Sequence, residues 1–373
     1  MSDASLALPA QSVPVMRSVA LSAPREKLYE LQTLRFLAAF LVLFSHIEDR
    51  FENWEQKYHL TIPRLGLDGQ LGVDIFFVIS GFVMGLVTLD RFGKSGAARK
   101  FAADRVSKIM PLYWILTFVQ CAVFLAGSHL GGNFDMARLN TEELLKSLFF
   151  IPYFNVDGKH RPVLGQGWTL NYEMAFYIVV AASLFLRKAW AIAAITGSFL
   201  LVWFIGNILH PQNDILRIWS VPIIFEFLLG FYIAFARNAW LAAGRALPRI
   251  PAVNLLIAAI LIGHILLFGR AAPLWMNAVV GLLTVSLCVL TQSSPPKDML
   301  QRGMVRLGDS SYSLYLSHNL ALLVVGVLWR GIFGAEALWA YMPIMIATAL
   351  AVGHLCYLLI EQPGTKWMRK ALG

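Results

Sequence analysis

Two residues in the first long apolar stretch of the chain, RFLAAFLVLFSHIED, set the chemistry open to this sequence: Arg35 and His46. On a helix, eleven steps of 100° leave them about 20° apart around the axis, on one face. They then sit roughly 16 Å apart along it. An imidazole titrates near neutrality and serves as a general base. A guanidinium stays charged and binds two phosphate or carboxylate oxygens at once. Ionisable groups at membrane depth are costly and mark function. The plain alternative is an Arg reaching for headgroups and a His packed near the interface.

Other polar residues recur at similar depths. Asp74 in GVDIFFVISGFVMG either orients the His46 imidazole or caps its own helix. Ser80 and Gly81 in the same run allow close helix approach. Glu173 in GQGWTLNYEMAFYI lies two turns into a span and needs a partner, His46 or an Arg. Trp168, Asn171, Tyr172 and Tyr177 around it fit a sugar site or an interfacial aromatic belt. The run RFGKSGAARKFAADRVSKIMPLYW carries Lys94, Arg99, Lys100, Arg105 and Lys108. Such cations bind a phosphorylated donor, or merely fix topology against anionic lipid. Arg105 abuts Pro111, Tyr113 and Trp114 and enters the span. His318 in GDSSYSLYLSHN and Glu226 in IIFEFLLG face the bundle interior. Two layers are therefore expected: Arg35, Arg105 and His318 on the inner side, and His46, Asp74 and Glu173 on the outer.

The elements that position these groups follow from composition. The 373 residues are 58% hydrophobic and 14% charged, with mean hydropathy +0.63. Soluble domains are about a quarter charged. This excludes a soluble nucleic-acid binder, a disordered chain and a disulfide-stapled module. Cys121, Cys288 and Cys356 lie in apolar runs without metal-ligand spacing, and no metal is expected. The fold class is an all-α polytopic membrane protein of about ten transmembrane helices: 31–49, 70–89, 109–128, 168–186, 189–207, 215–236, 251–269, 272–292, 311–331 and 338–360. The apolar segment Leu144–Phe154 is too short to span and reads as re-entrant or interfacial. With both termini cytoplasmic, 21 of the 31 basic residues fall inside, so the net charge of +9 reflects loop bias. Residues 1–29, rich in Ser, Ala and Pro, read as a flexible cytoplasmic tail. Residues 30–365 form the transmembrane domain and 366–373 a short basic tail.

Arg35-x10-His46, GVDIFFVISGF, DRVSKIMPLYW, GWTLNYEMAFY, FEFLLG, SYSLYLSHN and Glu361-x-Pro363 occur in this order. Together they resemble the acyltransferase 3 family, bacterial membrane O-acyltransferases that modify surface glycans, over about residues 28–365. The chain looks like the stand-alone type, similar to exopolysaccharide acetyltransferases. The resemblance implies acetyl-CoA as acyl donor, a hydroxyl of an exported or cell-surface glycan as acceptor, and the bacterial inner membrane as location. It makes Arg35 and His46 the essential pair. His46 then deprotonates the acceptor, with Asp74 or Glu173 orienting it, or carries the acetyl group itself. Arg35, Arg105, Lys108 and His318 are the candidates for holding the donor. A proton-coupled transporter or exporter is the competing class, because intramembrane His, Glu and Arg also mark ion paths. The absence of an internal repeat counts against it.

Overall fold

The computed structural model describes residues 27–59, 66–129, 140–333 and 338–373. Most of the expected N-terminal tail, residues 1–26, lies outside them. Among the described residues every regular element is a helix. These are α1 Tyr29–Tyr58, α2 Gly69–Thr88, α3 Ala97–His129, α4 Thr141–Leu148, α5 Trp168–Ser183, α6 Lys188–Ile208, α7 Asp214–Trp219, α8 Ile224–Ala242, α9 Val253–Leu267, α10 Leu274–Val289, α11 Met299–Asp309, α12 Ser311–Phe333, α13 Leu338–Cys356 and α14 Gln362–Leu372.

Nine of the ten expected spans each fall on a helix; the sixth, 215–236, is broken at residues 220–223 between α7 and α8. Seven apolar stretches are long enough to cross a bilayer: Tyr29–Gln56, Gly69–Thr88, Ala97–Gly127, Lys188–Ile208, Ile224–Ala242, Ser311–Phe333 and Ala340–Leu372. The protein is a multi-pass membrane protein. The other three helices, α5, α9 and α10, have 16, 15 and 16 residues, short of the ~20 that a bilayer core requires. Tight turns cut them off: Gly165–Gly167 before α5, and Gly269–Ala271 between α9 and α10. The short basic C-terminal segment is helical. A π-helical turn, Tyr357–Glu361, leads into α14, which packs on α3 with Gly364 against Pro111 and Arg369 3.6 Å from Asp104.

Helix α2 is the central post. The Asp68 side chain caps it by accepting from Gln70 N at 2.9 Å. Gly81 lets it close on α8, because a Cβ there would overlap the Phe227 carbonyl. Gly230 of α8 does the same against the Val78 carbonyl. Small residues at such contacts replace the hydrophobic drive that lipid does not supply. Around this seam Phe77, Phe176 and Phe227 stack, with centroids 4.5 and 5.0 Å apart. On its other side α2 packs against α1 and α10.

Helices α1 and α12 run side by side in the same direction. Arg35 meets Ser311, His46 meets His318 and Arg50 meets Asn319. The segment expected to be re-entrant forms α4 and then a non-helical stretch to residue 164. Its Ser147 carbonyl accepts from Tyr113 Oη at 3.1 Å, and the Leu148 carbonyl accepts from Trp114 Nε1 at 3.0 Å. Ser147 Oγ also accepts from Val163 N at 3.0 Å. These bonds fasten residues 149–167 over one end of the bundle.

Candidate active site

His46 is half-buried on α1. Its Nδ1 lies 2.8 Å from the Val42 carbonyl oxygen. A carbonyl only accepts, so Nδ1 carries the hydrogen and Nε2 keeps its lone pair. The backbone one turn back therefore sets the tautomer. Neither Asp74 nor Glu173 is brought to this ring. Asp74, 1% exposed, accepts from Gln70 Nε2 at 2.6 Å within α2, and its backbone packs by Gly281 of α10. Glu173 accepts from Ser80 Oγ at 2.7 Å and from the Tyr177 hydroxyl.

The neighbour of His46 is His318, also 1% exposed. Their ring centroids are 5.0 Å apart at 68°. His318 Nδ1 is 3.2 Å from the Leu314 carbonyl, and its buried Nε2 has no hydrogen-bond partner. Sequence placed His318 in the inner layer, with Arg35. The structure sets it beside His46.

Two adjoining cavities lie in this part of the bundle, and His46 lines the second of them. One, of about 160 Å³, is lined by Arg35, Arg105, Lys108 and Glu173 among aromatic and aliphatic walls. The other, of about 640 Å³, is lined by His46, Asp49, Arg50, Asp68, Arg161 and Arg270 with further polar residues and Trp168. Val73 and Tyr315 line both, so the two cavities share a wall. The Tyr315 hydroxyl is held by Thr169 Oγ1 at 3.1 Å and the Gln166 carbonyl at 3.3 Å.

In the Arg35 cavity the cations are held lightly. Arg35 Nε donates to Ser311 Oγ at 3.2 Å. The Arg105 guanidinium lies 5.9 Å from the rings of both Phe101 and Tyr177, and its buried Nε has no partner. Neither forms an ion pair among the described residues. Lys108 differs, because it pairs with Glu361, whose other oxygen accepts from Ser313 Oγ at 2.5 Å. Glu361 is 1% exposed, so Lys108 neutralises a buried carboxylate. Glu173, expected in the outer layer, stands in this cavity with the cations.

In the His46 cavity the acids are spent within the wall. Asp68 caps α2 with one oxygen and accepts from Asn277 Nδ2 at 2.7 Å with the other. Arg270 pairs with Asp49 at 3.0 Å and Glu48 at 3.5 Å. The adjoining stretch supplies Arg161 and Gln166 to the lining, with His160 next to them in sequence. Burial pushes the His160 imidazole down to about 4, and its Nε2 accepts from Asn171 Nδ2 at 2.9 Å. Sequence reasoning passed over Arg50, Arg161 and Arg270 as loop charges. Arg50 had a visible signal, since it lies four residues beyond His46 on the same helical face. Among the described residues no group of three or more His, Cys, Asp or Glu could hold a metal ion.

The chain matches the family model described as "Acyltransferase domain" over residues 28–358. It is 35% identical to the exopolysaccharide production protein ExoZ of Rhizobium meliloti (strain 1021), over 82% of this chain and 90% of that one. It is 24% identical to the acyltransferase MdmB of Streptomyces mycarofaciens, over 90% of this chain and 91% of that one. It is 28% identical to nodulation protein 10 of Rhizobium leguminosarum bv. viciae, over 89% and 92%. No solved structure matches the chain.

Proposed function

We propose the following reaction on the premise that the chain belongs to the acyltransferase family it matches over residues 28–358, and is therefore an O-acyltransferase. The donor is acetyl-CoA and the acceptor is a hydroxyl of an exported or cell-surface glycan. The relative ExoZ, an exopolysaccharide production protein, points to the same acceptor class. The enzyme sits in the bacterial inner membrane with both termini in the cytoplasm. The ten apolar helices all cross, α5, α9 and α10 as short crossings, and the Arg35 cavity then faces inward.

The supporting observation is the wall of Val73 and Tyr315 shared by the two cavities. Arg35 and Arg105, free of carboxylate partners, hold the donor's phosphates by charge-assisted bonds. Lys108 lends charge while holding Glu361. Glu173, fixed by Ser80 and Tyr177, balances the cations and sets their positions. The thioester arm lies along the apolar side of Phe76, Phe77 and Val83 and reaches the shared wall. In the other cavity His46 Nε2 takes the proton of the acceptor hydroxyl. The oxygen forms a bond to the acetyl carbon, the carbon–sulfur bond breaks, and the departing thiolate takes the proton from His46. The products are the acetyl ester and CoA thiol. His318, packed on His46, positions the ring rather than the donor. Asp74 braces the end of α2 through Gln70.

Membrane vesicles given radiolabelled acetyl-CoA test this reading. Label passes to glycan in wild type and not in His46→Ala. Full transfer by His46→Ala overturns the base. Glycan or proton flux without transfer of label favours a transporter instead.

A further inference from the structure

The His46 cavity is rich in donors that nothing in the wall accepts. Arg50 commits one of its five N–H donors, Nη2 to the Asn319 carbonyl at 3.3 Å, and its buried Nε has no partner. Arg161 makes no side-chain hydrogen bond or ion pair among the described residues. Gln166 Nε2 is buried, lines the cavity and is unpartnered. The lining acids do not answer these groups, because Asp68 is filled by Gln70 and Asn277, and Asp49 takes Arg270. Leaving the buried Arg50 Nε and Gln166 Nε2 unmatched is costly, while Arg161, exposed and on the same lining, adds positive charge to the cavity. A ligand of hydroxyl groups alone brings both donors and acceptors. Anionic oxygens bring acceptors only, and a guanidinium fork fits a carboxylate or phosphate.

Resting on the acyl-transfer reading above, we propose that the acceptor is an anionic glycan whose carboxylate or phosphate is bound by Arg50, Arg161 and Gln166 while a neighbouring hydroxyl faces His46. Arg50 is one helical turn from His46, and Arg50, Arg161 and His46 line the same cavity. The anionic group thus sits beside the reacting hydroxyl, not at the far rim.

The test uses the purified full chain in nanodiscs, radiolabelled acetyl-CoA and envelope glycan extracted from cells lacking the gene. Three portions of glycan are compared: untreated, with carboxyl groups reduced to alcohols, and with phosphate removed by mild hydrolysis. Label transfer is expected to fall about tenfold to a hundredfold in one treated portion, the scale of charge-assisted hydrogen bonds lost. The portion that fails identifies the anion as carboxylate or phosphate. Arg161→Gln, a change at an exposed side chain, should lower transfer to untreated glycan by a similar factor while leaving the melting temperature unchanged. Its penalty and that of the treatment should be non-additive. Equal labelling of all three portions overturns the anionic acceptor and leaves acyl transfer standing. Additive penalties overturn the assignment to Arg161. No transfer to any portion overturns the acyl-transfer reading itself and this inference with it.

Discussion

The Arg35 cavity sets three cations against one lining carboxylate, with Phe76, Phe77, Ile79, Val83 and Met84 around them. The His46 cavity sets three arginines against two lining aspartates, and its aliphatic lining among the described residues is Val42 and Val73. The first is built on membrane helices and is narrow. The second is wide and borrows a wall from residues 149–167. Both leave guanidinium groups partly unmatched, but for different reasons. In the first, aromatic faces hold Arg105 without neutralising it. In the second, acids are present but already occupied. A narrow apolar slot with free cations suits one constant ligand with a charged head and a thin arm. A broad polar chamber suits a ligand whose hydroxyl must be chosen among several.

The sharpest way to break this division is to damage one cavity and read the other. His46→Ala is expected to lower acyl transfer about 10²–10⁴-fold, the usual worth of a positioned base, or roughly 3–5 kcal/mol. Calorimetric titration with CoA should meanwhile change by less than about twofold, because Arg35 and Arg105 keep their surroundings. A parallel loss of CoA affinity would merge the cavities into one site. The complementary change, Arg35→Ala or Arg105→Ala, is expected to raise KM for acetyl-CoA about tenfold to a hundredfold, as removal of a charge-assisted bond does. The rate at saturating donor should stay within about threefold. A fall in rate without a rise in KM would move the guanidinium from holding the donor to the chemistry itself.

The division between cavities was only partly legible in the sequence. The shared face of Arg35 and His46 follows from helical periodicity, and α1 carries it. Nine of the ten apolar stretches each lie on a helix, and 215–236 is split between α7 and α8. Depth was harder. Counting turns from a span's end assumes that all spans start level and stand upright, whereas membrane helices tilt by about 20° on average. Glu173, two turns into α5, therefore meets Ser80 in the middle of α2 instead of His46. His318, two turns into α12, meets His46 instead of Arg35, because eleven residue steps along α1 from Arg35 to His46 match seven along α12 from Ser311 to His318. The positions of Arg161 and Gln166 had no periodic signal. They depend on side-chain bonds from Tyr113, Trp114 and Ser147 that pin a non-helical stretch.

That stretch supplies a pH test that separates the cavities again. The His160 imidazole, with its pKa near 4, stays neutral where an exposed imidazole of pKa about 6.5 takes a proton. A depressed folded-state value favours the unfolded chain's uptake of protons, so stability tied to it is whole above about pH 6.5 and drains as pH falls toward 4. The half-buried ring limits the effect to about 1–2 kcal/mol. Thermal unfolding in detergent should show a lower melting temperature at pH 5 than at pH 7.5, with a shallower slope in His160→Asn. Acceptor KM should rise over the same window while CoA affinity holds. Equal drift of both would deny that residues 149–167 serve one cavity alone.

The smallest effect expected concerns the wall itself. Tyr315 is 8% exposed, touches both cavities and has its hydroxyl tied to Thr169 and the Gln166 carbonyl. If the thioester waits on one side and water fills the other, this ring limits hydrolysis of the donor. Tyr315→Ala removes the ring and joins the cavities, and the hydrolysis of acetyl-CoA without acceptor should rise about threefold, equivalent to ~0.6 kcal/mol. Tyr315→Phe keeps the ring and loses only the tether, so it should raise hydrolysis less. The ratio of hydrolysis to transfer, measured by released thiol against labelled glycan, separates a barrier from a catalytic hydroxyl. A barrier makes Ala worse than Phe in that ratio. A catalytic hydroxyl makes the two variants equally slow in transfer and leaves hydrolysis unmoved, and the two cavities would then be divided by Val73 and the helix backbones, not by this ring.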